Sequence, residues 1–232
     1  MKKVYIKGIG LYPFTSERQI ASFVDEHKGI LVAINAEKIL NQTDETRSII
    51  NGNIGYCDGV GPQMALQRMG YKDVIKVAGC ELWLKLVEAF YKEKTFYLVG
   101  SKQSVIEEAV AKLKAQFEGI RIVGYRNGYL HDASERAALI DDVAEKKPDV
   151  VFVAMGSPKQ EILMEAMQQR HKAIYQGLGG SFDVYTGHVN RAPQWWLDHN
   201  VEWLYRLISQ PRRIKRQIKL VKFAWWIVTK NF

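Results

Sequence analysis

Polar side chains follow two apolar runs near the start of the sequence. Asn35, Glu37 and Lys38 come directly after ILVAI, and Asp58 comes directly after IGYC. Polar groups at such places either face a ligand cleft or cap the next helix. A carboxylate there can take a proton from a hydroxyl nucleophile, but Asp-Gly is also a common turn pair, so Asp58 has a catalytic and a structural interpretation. Glu81 lies in the first turn of a predicted helix, where the helix dipole already favours an acid.

Three later apolar runs end in glycine immediately before a predicted helix, in LVG-S, AMG-SPKQE and GLGG-SFD. A helix N-terminus offers free N–H groups and a positive dipole end, which suit a phosphate, and glycine lets the backbone approach a ligand. Capping alone explains one such junction, with Ser157 as the cap, Pro158 in the first helical position and Gln160 in a capping box. Three junctions at one sheet edge favour a nucleotide or sugar-phosphate site. Its candidate donor-binding residues are Gly156, Ser157, Lys159, Gln160, Gly180, Ser181 and Asp183.

Several established site patterns are missing from the sequence. It contains no P-loop, and GLGGSF matches the dinucleotide-binding pattern G-x-G-x-x-G only in part, so neither ATP nor NAD is predicted as a ligand. No D-x-D is present, and the five histidines show no zinc spacing. We therefore expect no cofactor and no metal.

The order of apolar runs and helical patterns predicts the fold class. Strand-like runs at 3–11, 30–35, 54–59, 95–100, 120–125, 149–156 and 173–180 alternate with helical patterns at 16–27, 36–43, 60–69, 80–93, 102–117, 134–147, 157–170 and 181–193, and a further apolar run at 74–79 leads into the helix at 80–93. Continuous apolar strands that alternate with helices predict an α/β, Rossmann-like and mostly parallel sheet with helices on both faces. Ligands of such folds bind at the carboxyl ends of the strands.

The C-terminal end carries all of the excess positive charge. The chain has 33 Lys and Arg against 25 Asp and Glu, and eight of the cations but none of the acids follow Glu202. The body is therefore neutral, which indicates one localised anionic partner. Because composition changes near Pro193, we expect an α/β catalytic domain over 1–192 and a helical appendage over 193–232.

A helical projection of the appendage separates its cations from most of its apolar residues. At about 100° per residue, the basic residues fall within an arc of roughly 120°, together with Phe223 and Trp226, and the aliphatic residues lie opposite. This pattern is typical of a helix on an anionic membrane surface, but it also fits a helix that docks its apolar face on the body. The candidate membrane-contacting residues are Lys215, Lys219, Lys222, Trp225 and Trp226.

Composition and hydropathy predict a folded protein of the cytosol. The chain is 47% hydrophobic and 25% charged, which is ample for a packed core. Cys57 and Cys80 form no disulfide framework, so reduced thiols in a cytosolic protein are expected. The N-terminus does not read as a signal peptide, and the run FAWWIV is far shorter than the roughly 20 residues of a spanning helix.

Six motifs together resemble the WecG/TagA/CpsF family of bacterial glycosyltransferases. They are LVAINAEKIL, YCDGVG, VAGCELW, VAMGSPKQEI, GGSFDVYTGHVNRAP and EWLYRLISQPRRIKRQ, in the family's order over nearly the whole chain. INAEK and GSPKQE look like the WecG branch. That resemblance implies transfer of N-acetylmannosaminuronic acid from UDP to undecaprenyl-diphosphate-linked GlcNAc, in enterobacterial common antigen synthesis. The TagA branch instead implies N-acetylmannosamine transfer for teichoic acid, and transfer of another hexosamine for a capsule is a related alternative.

The resemblance also implies roles for individual residues. The family's proposed general base matches Asp58, its sugar-contacting asparagine matches Asn35, and its glutamine near the reacting sugar matches Gln160. TagA-like members have a threonine two positions before the matching asparagine, where this sequence has Ala33. Active-site arginines of the family's C-terminal appendage, which would bind the diphosphates, match Arg206, Arg212, Arg213 and Arg216.

These observations predict an inverting, metal-independent transferase at the inner face of the bacterial cytoplasmic membrane. Its expected partners are a UDP-sugar, the lipid-linked acceptor and an anionic membrane surface; oligomers are possible and nucleic acid is not expected. A uronic acid donor needs a cation, for which Lys38, Lys159 and Arg191 are candidates. Two rivals are a nucleic-acid-binding protein that uses the basic helix and another nucleotide-dependent enzyme, such as an oxidoreductase.

Overall fold

A six-stranded parallel sheet forms the centre of the part of the chain that the computed structural model describes. That part comprises residues 1–190 and the later positions 192, 193, 195, 196, 204, 205, 223, 226, 227 and 229. The strand order in the large sheet is β4-β3-β8-β7-β5-β6, with a separate antiparallel pair β1-β2. All five strand pairings within the large sheet are parallel. The predicted α/β class with a mostly parallel sheet is confirmed.

The elements follow the chain in this order. The strands are β1 (Val4–Ile6), β2 (Ile9–Leu11), β3 (Gly29–Ile34), β4 (Ile54–Cys57), β5 (Thr95–Gly100), β6 (Arg121–Arg126), β7 (Val150–Ala154) and β8 (Ile174–Gly177). The helices are α1 (Glu17–His27), α2 (Ala36–Leu40), α3 (Asp44–Gly52), α4 (Val60–Arg68), α5 (Gly79–Phe90), α6 (Gln103–Gln116), α7 (Ala133–Lys146), α8 (Lys159–Arg170) and α9 (Ser181–Tyr185).

Helices cover both faces of the sheet, so each central strand is buried on both sides. Val151 and Val153 of β7 belong to one hydrophobic cluster, with residues of α2, α3, α4, α7 and α8. Val150 and Phe152 of the same strand belong to the other cluster, with residues of α1, α5, α6 and α9. This two-sided burial explains why β7 reads as a continuous apolar run instead of an alternating one.

The N-terminal segment is a β-hairpin, not the single strand predicted over 3–11. Lys7 and Gly8 both have positive φ, at 50° and 77°, which is the two-residue turn that joins antiparallel strands with the natural twist. The hairpin lies against β4, where the N–H of Tyr12 donates to the carbonyl of Gly55 at 2.8 Å. A Cβ on Gly55 would lie 2.4 Å from the carbonyl oxygen of Gly10, so only glycine permits this approach.

Two further segments differ from the sequence expectation. Helix α3 was not predicted; it begins with a capping box in which Thr43 and Thr46 bond each other's backbone N–H. The apolar run at 74–79 forms no strand. Its N–H groups bond two different segments: that of Ile75 donates to the carbonyl oxygen of Phe14, and that of Val77 donates to the carbonyl oxygen of Cys57.

The connections after neighbouring strands leave the sheet in opposite directions. Helix α8, which follows β7, packs in one cluster, and α9, which follows the adjacent β8, contributes to the other. Likewise α2 follows β3 into the first cluster, although β3 is the other neighbour of β8. Where connections diverge in this way, a crevice opens at the carboxyl ends of the strands, and this is the usual ligand site of such sheets.

Candidate functional site

The ends of β3 and β4 bring Asn35 and Asp58 to the same edge of the sheet. Ile34 and Cys57 are paired in register, and the N–H of Asp58 donates to the carbonyl of Ile34 at 2.9 Å. Asn35 caps α2, because its Oδ1 accepts from the N–H of Lys38 at 2.8 Å. Both side chains are half-buried. The two residues that the sequence singled out therefore do converge, although Asn35 also has a structural role.

Asp58 influences a group of titratable side chains at the end of β4. Burial, followed by the negative charge of Asp58, raises the pKa of the Cys57 thiol to about 12, and Lys76 acts in the opposite direction. Burial, and then Asp58, also raises the pKa of Tyr56 well above its usual value. These effects place the Asp58 carboxylate and the Lys76 ammonium in one electrostatic neighbourhood.

Lys76 is a site candidate that sequence reasoning missed. It lies in the irregular segment after Val74, and the N–H of the next residue, Val77, bonds the carbonyl of Cys57 at 2.9 Å. That bond holds the segment against the end of β4, beside Asp58. The sequence indicated it only by a lysine in the middle of the apolar run VIKVAG, which gives no sign that this residue lies near Asp58.

The ends of β7 and β8 are joined by the side chain of Gln160. Its Oε1 accepts from the N–H of Gly156 at 3.1 Å and from the N–H of Gly179 at 2.9 Å. The predicted capping arrangement is wrong at this helix: Pro158 is the N-cap residue of α8, no side chain caps it, and Gln160 bonds the loops instead. Gln160 is only 5% exposed, and at least one of the glycine N–H groups expected to face a phosphate, that of Gly156, has a protein acceptor.

A buried ion pair lies directly beneath this glutamine. Lys38 Nζ donates to Glu161 Oε1 at 2.7 Å, with the two side chains 9% and 3% exposed. Gln160 Nε2 approaches the same carboxylate oxygen at 3.3 Å, and Glu161 Oε2 has no partner among the described residues. Lys38 is therefore already paired in the protein, which bears on its predicted role toward a donor carboxylate.

The other predicted donor-binding residues differ in burial and in the hydrogen bonds that can be described. Asp183 accepts from Ser101 Oγ at 2.6 Å, which ties α9 to the end of β5. Ser181 is buried and donates to the carbonyl of Leu178 at 2.6 Å. The exposed residues at this edge are Ser157, Lys159 and Gly180; Glu81 is exposed in the first turn of α5, and Glu37 is half-buried in the first turn of α2.

Three residues of the appendage contact the body, and the first of them lies against the first turn of α4. Phe223 is 1% exposed, and a Cβ on Gly61 in the first turn of α4 would lie 2.9 Å from its Cε1 and 3.4 Å from the Cβ of Ala36. Arg68 donates to the carbonyl of Ile227, and the ammonium of Lys7 lies 4.8 Å from the ring centroid of Trp226.

The appendage contacts correct one detail of the helical projection. It placed Phe223 with the solvated cations, but Phe223 is buried, because it fits into the space left by Gly61. Trp226 stacks on Phe223 with ring centroids 5.7 Å apart and is half-buried. For these residues the structure shows docking on the body. The remaining predicted residues of this region lie outside the described residues: Arg191, Arg206, Arg212, Arg213, Lys215, Arg216, Lys219, Lys222 and Trp225.

Two searches of the described residues gave no feature of the kind sought. Within them, no three His, Cys, Asp or Glu side chains are grouped so that they could hold a metal ion. No helix formed by these residues has the length and apolar character needed to cross a membrane. Neither Cys57 nor Cys80 takes part in a disulfide.

Comparison with protein families identifies the class of enzyme. The model of the glycosyl transferase WecG/TagA/CpsF family matches residues 6–232, nearly the whole chain. The chain belongs to this family. It is therefore a glycosyltransferase, as the motifs predicted, and membership favours this activity over the oxidoreductase and nucleic-acid-binding alternatives. The family's name spans three branches, so the match does not distinguish the WecG branch from the others.

Proposed function

We propose that this WecG/TagA/CpsF family member transfers N-acetylmannosaminuronic acid from UDP to undecaprenyl-diphosphate-linked GlcNAc. Family membership implies a nucleotide-sugar donor and a lipid-linked acceptor. The observation that carries the proposed site is the convergence of Asn35 and Asp58, through the 2.9 Å bond from the N–H of Asp58 to Ile34. The choice of this sugar and carrier, within the cell-envelope polysaccharides, rests on the WecG-like motifs INAEK and GSPKQE.

Asp58 is the general base of the proposed reaction. Its carboxylate takes the proton of the acceptor hydroxyl, whose oxygen then forms a bond to the anomeric carbon of the donor sugar. The bond from that carbon to the diphosphate oxygen breaks on the opposite side, so UDP leaves with its electron pair and the configuration inverts. Because Asp58 is half-buried at the open edge of the sheet, it can reach a bound hydroxyl and still exchange its proton with water.

Cations beside Asp58 stabilise the departing diphosphate in this proposal. No D-x-D is present to hold a metal–nucleotide pair, so the proposed reaction uses protein cations for this purpose. Lys76 lies in the electrostatic neighbourhood of Asp58, and the exposed Lys159 begins α8 at the same edge. The arginines of the appendage would add to them, since Phe223 docks this segment close to the N-termini of α2 and α4.

N-acetylmannosamine is the second candidate for the transferred sugar, and one observation favours it. A uronic acid carries a carboxylate that needs a cation, and Lys38, one of three candidates for that role, is already bonded to Glu161 at 2.7 Å. An uncharged N-acetylmannosamine has no such requirement. Under the first candidate, Lys159 or Arg191 would bind the uronate.

A product assay separates these candidates. The enzyme is incubated with a GlcNAc-diphosphate-lipid analogue and a panel of UDP-sugars, and the products are weighed by mass spectrometry. Under the main proposal only UDP-N-acetylmannosaminuronic acid gives a disaccharide at full rate. A product only from UDP-N-acetylmannosamine would transfer the proposal to the second candidate, and no product from any donor would contradict both.

Replacement of Asp58 tests the mechanism directly. Asp58→Asn should lower turnover by about 10²–10⁴-fold, the usual contribution of a general base, while UDP binding measured by calorimetry persists. Asp73→Asn makes the same change at an exposed loop residue; it is the control and should retain activity. Loss of cooperative melting in Asp58→Asn would instead support the structural-turn interpretation of the Asp-Gly pair.

We also propose that the enzyme binds the inner face of the bacterial cytoplasmic membrane through its basic appendage. The eight cations and no acids after Glu202 support this, because anionic lipid attracts such a segment. Sedimentation with vesicles that contain anionic lipid should remove the protein from solution, and neutral vesicles should not. Salt-sensitive binding to duplex DNA without binding to anionic vesicles would favour a nucleic-acid partner.

A further inference from the structure

We propose that Gln160 is a positioning residue that fixes the loops after β7 and β8, and that the buried Lys38–Glu161 pair fixes the orientation of its amide. This inference rests on the proposed function, since those loops border the proposed donor site. It differs from a role as a sugar ligand, which would require the Gln160 amide to face the crevice with free hydrogen-bonding atoms.

The hydrogen-bonding atoms of Gln160 are committed within the protein. Oε1 accepts from both Gly156 and Gly179, at 3.1 and 2.9 Å. Nε2 lies 3.3 Å from Glu161 Oε1, and the whole residue is 5% exposed. One carbonyl oxygen thus bonds two backbone N–H groups on adjacent strand ends. This shared acceptor sets the distance between the two loops, whereas a bond to one loop alone would leave that distance free.

The charge pair fixes the amide from the side opposite the two glycines. An ionised carboxylate only accepts hydrogen bonds, so the side of Gln160 that faces Glu161 must be the NH₂ group, and the carbonyl must face the glycines. Lys38 Nζ forms an ion pair with Glu161 Oε1 at 2.7 Å, so the carboxylate is held in place beside the amide. If Glu161 were replaced by an apolar residue, the amide would lose this constraint.

The same network joins three strand ends at the site. Lys38 belongs to α2, whose cap is Asn35 at the end of β3, whereas Gln160 and Glu161 belong to α8 after β7. Gly179 follows β8, which lies between β3 and β7 in the sheet. The network therefore connects the Asn35 end of the site to the glycine loops through buried side chains.

The first test compares two replacements of Gln160 by amide hydrogen exchange. Gln160→Met removes the acceptor, and exchange at the Gly156 and Gly179 amides should become about tenfold faster, as expected for loss of one hydrogen-bond acceptor. Gln160→Glu keeps an acceptor for the two N–H groups but turns a second carboxylate oxygen towards Glu161, so protection should be partly lost at pH 7 and regained at acid pH, where the two carboxyl groups share a proton. Gln168→Met, which removes a glutamine bond to Asn53 from the same helix, is the control and should leave both glycine amides unchanged.

The second test separates positioning from stability. Glu161→Met leaves the buried Lys38 unpaired and should lower the melting temperature, whereas Lys38→Met with Glu161→Met removes both charges and should restore most of it. We expect UDP binding to remain about tenfold weaker in the double variant, because Gln160 Nε2 has then lost its acceptor and the amide is held only by the two glycine N–H groups. We also expect the KM for the donor to rise and the KM for the acceptor to stay unchanged.

The outcomes distinguish this inference from the proposed function. If Gln160→Met and Gln160→Glu match the wild type in exchange at both glycines, or if the double variant regains UDP affinity together with stability, the positioning role is refuted. If the exchange results are as expected but the wild type binds no UDP or UDP-sugar, the loop-fixing role is supported and the proposed function fails.

Discussion

Replacement of Phe223 by alanine tests the docking of the appendage on the body. The ring is 1% exposed and lies where a Cβ on Gly61 would come within 2.9 Å of it. Phe223 and Ile227 belong to one hydrophobic cluster, but its other buried residues, and all of those in the second cluster, come from the body, so we expect Phe223→Ala to release the appendage and leave the α/β body folded.

The magnitude follows from the burial of the ring. Truncation of a fully buried phenylalanine to alanine costs about 3–5 kcal/mol, and about 1.4 kcal/mol changes an equilibrium tenfold. The population of the undocked appendage should therefore rise by about two to three and a half decades. Gly61→Ala should act in the same direction with a smaller effect, about 1–3 kcal/mol, because the added methyl group overpacks the same space.

Native-state proteolysis with trypsin measures this opening. The basic residues after Glu202 supply cleavage sites, and cleavage that follows fast opening and closing reports the population of the open state. Tyr129→Ala, which truncates an aromatic ring that is 53% exposed elsewhere on the surface, is the control and should cleave at the wild-type rate. Melting of the body should be nearly unchanged in all variants.

The two replacements share one contact, so they should not be additive. Once Phe223 is alanine, Gly61→Ala should cost little, because the ring that it would displace is gone. If trypsin cleaves Phe223→Ala at the wild-type rate, or if the double variant shows the full sum of both effects, the ring does not hold the appendage as described.

Three further predictions concern the body. Deletion of residues 210–232 should leave a protein that melts cooperatively but has lost most activity on the lipid-linked acceptor; full activity by the product assay would contradict the role of the appendage. Burial, and then the charge of Asp58, raises the pKa of the Cys57 thiol to about 12, so about one molecule in ten thousand carries the thiolate at pH 8. Cys57 should therefore resist alkylation at that pH. Peptide mass spectrometry after iodoacetamide treatment measures this, and rapid modification would show that Cys57 is accessible. The hydrogen bond from Lys94, at 2.6 Å, lowers the pKa of the Asp25 carboxyl group. The stability that this bond contributes is therefore present above about pH 4 and is lost as the pH falls through the lowered pKa. Since the Asp25 side chain is 44% exposed, Asp25→Asn should change the unfolding free energy at pH 7 by under about 1 kcal/mol and make the unfolding free energy less dependent on pH in acid.

The order of the elements could be predicted because each core strand carries its own signal. β5, β7 and β8 are buried on both faces and read as uninterrupted apolar runs, and Ser16 caps α1 as expected. The hairpin was missed because KVYIKGIGL was interpreted as one strand, although Lys7 and Gly8 interrupt its apolar alternation and form the tight turn. The run at 74–79 was ambiguous, since apolar character alone does not say which backbone will accept its hydrogen bonds.

The candidate site was predictable where chemistry follows directly from strand ends. Asp58 and Asn35 could be identified because polar residues after parallel strands meet at one edge. Gln160 was assigned to a capping box because its true partners, Gly156 and Gly179, include one that is distant in the sequence. The Lys38–Glu161 pair links residues 123 positions apart, and the residues next to either one in the sequence do not indicate its partner.

The contact between Lys7 and Trp226 has a practical consequence for protein engineering. The N-terminal hairpin and a segment close to the last residue of the sequence meet on one surface, with the Lys7 ammonium 4.8 Å from the Trp226 ring centroid. A tag inserted beside Lys7 or Trp226 would disturb this contact, so such tags should be avoided in vesicle measurements. The same closeness favours a circular permutant in which a linker joins the segments of Trp226 and Lys7, with new ends in an exposed loop such as that around Glu118 and Gly119.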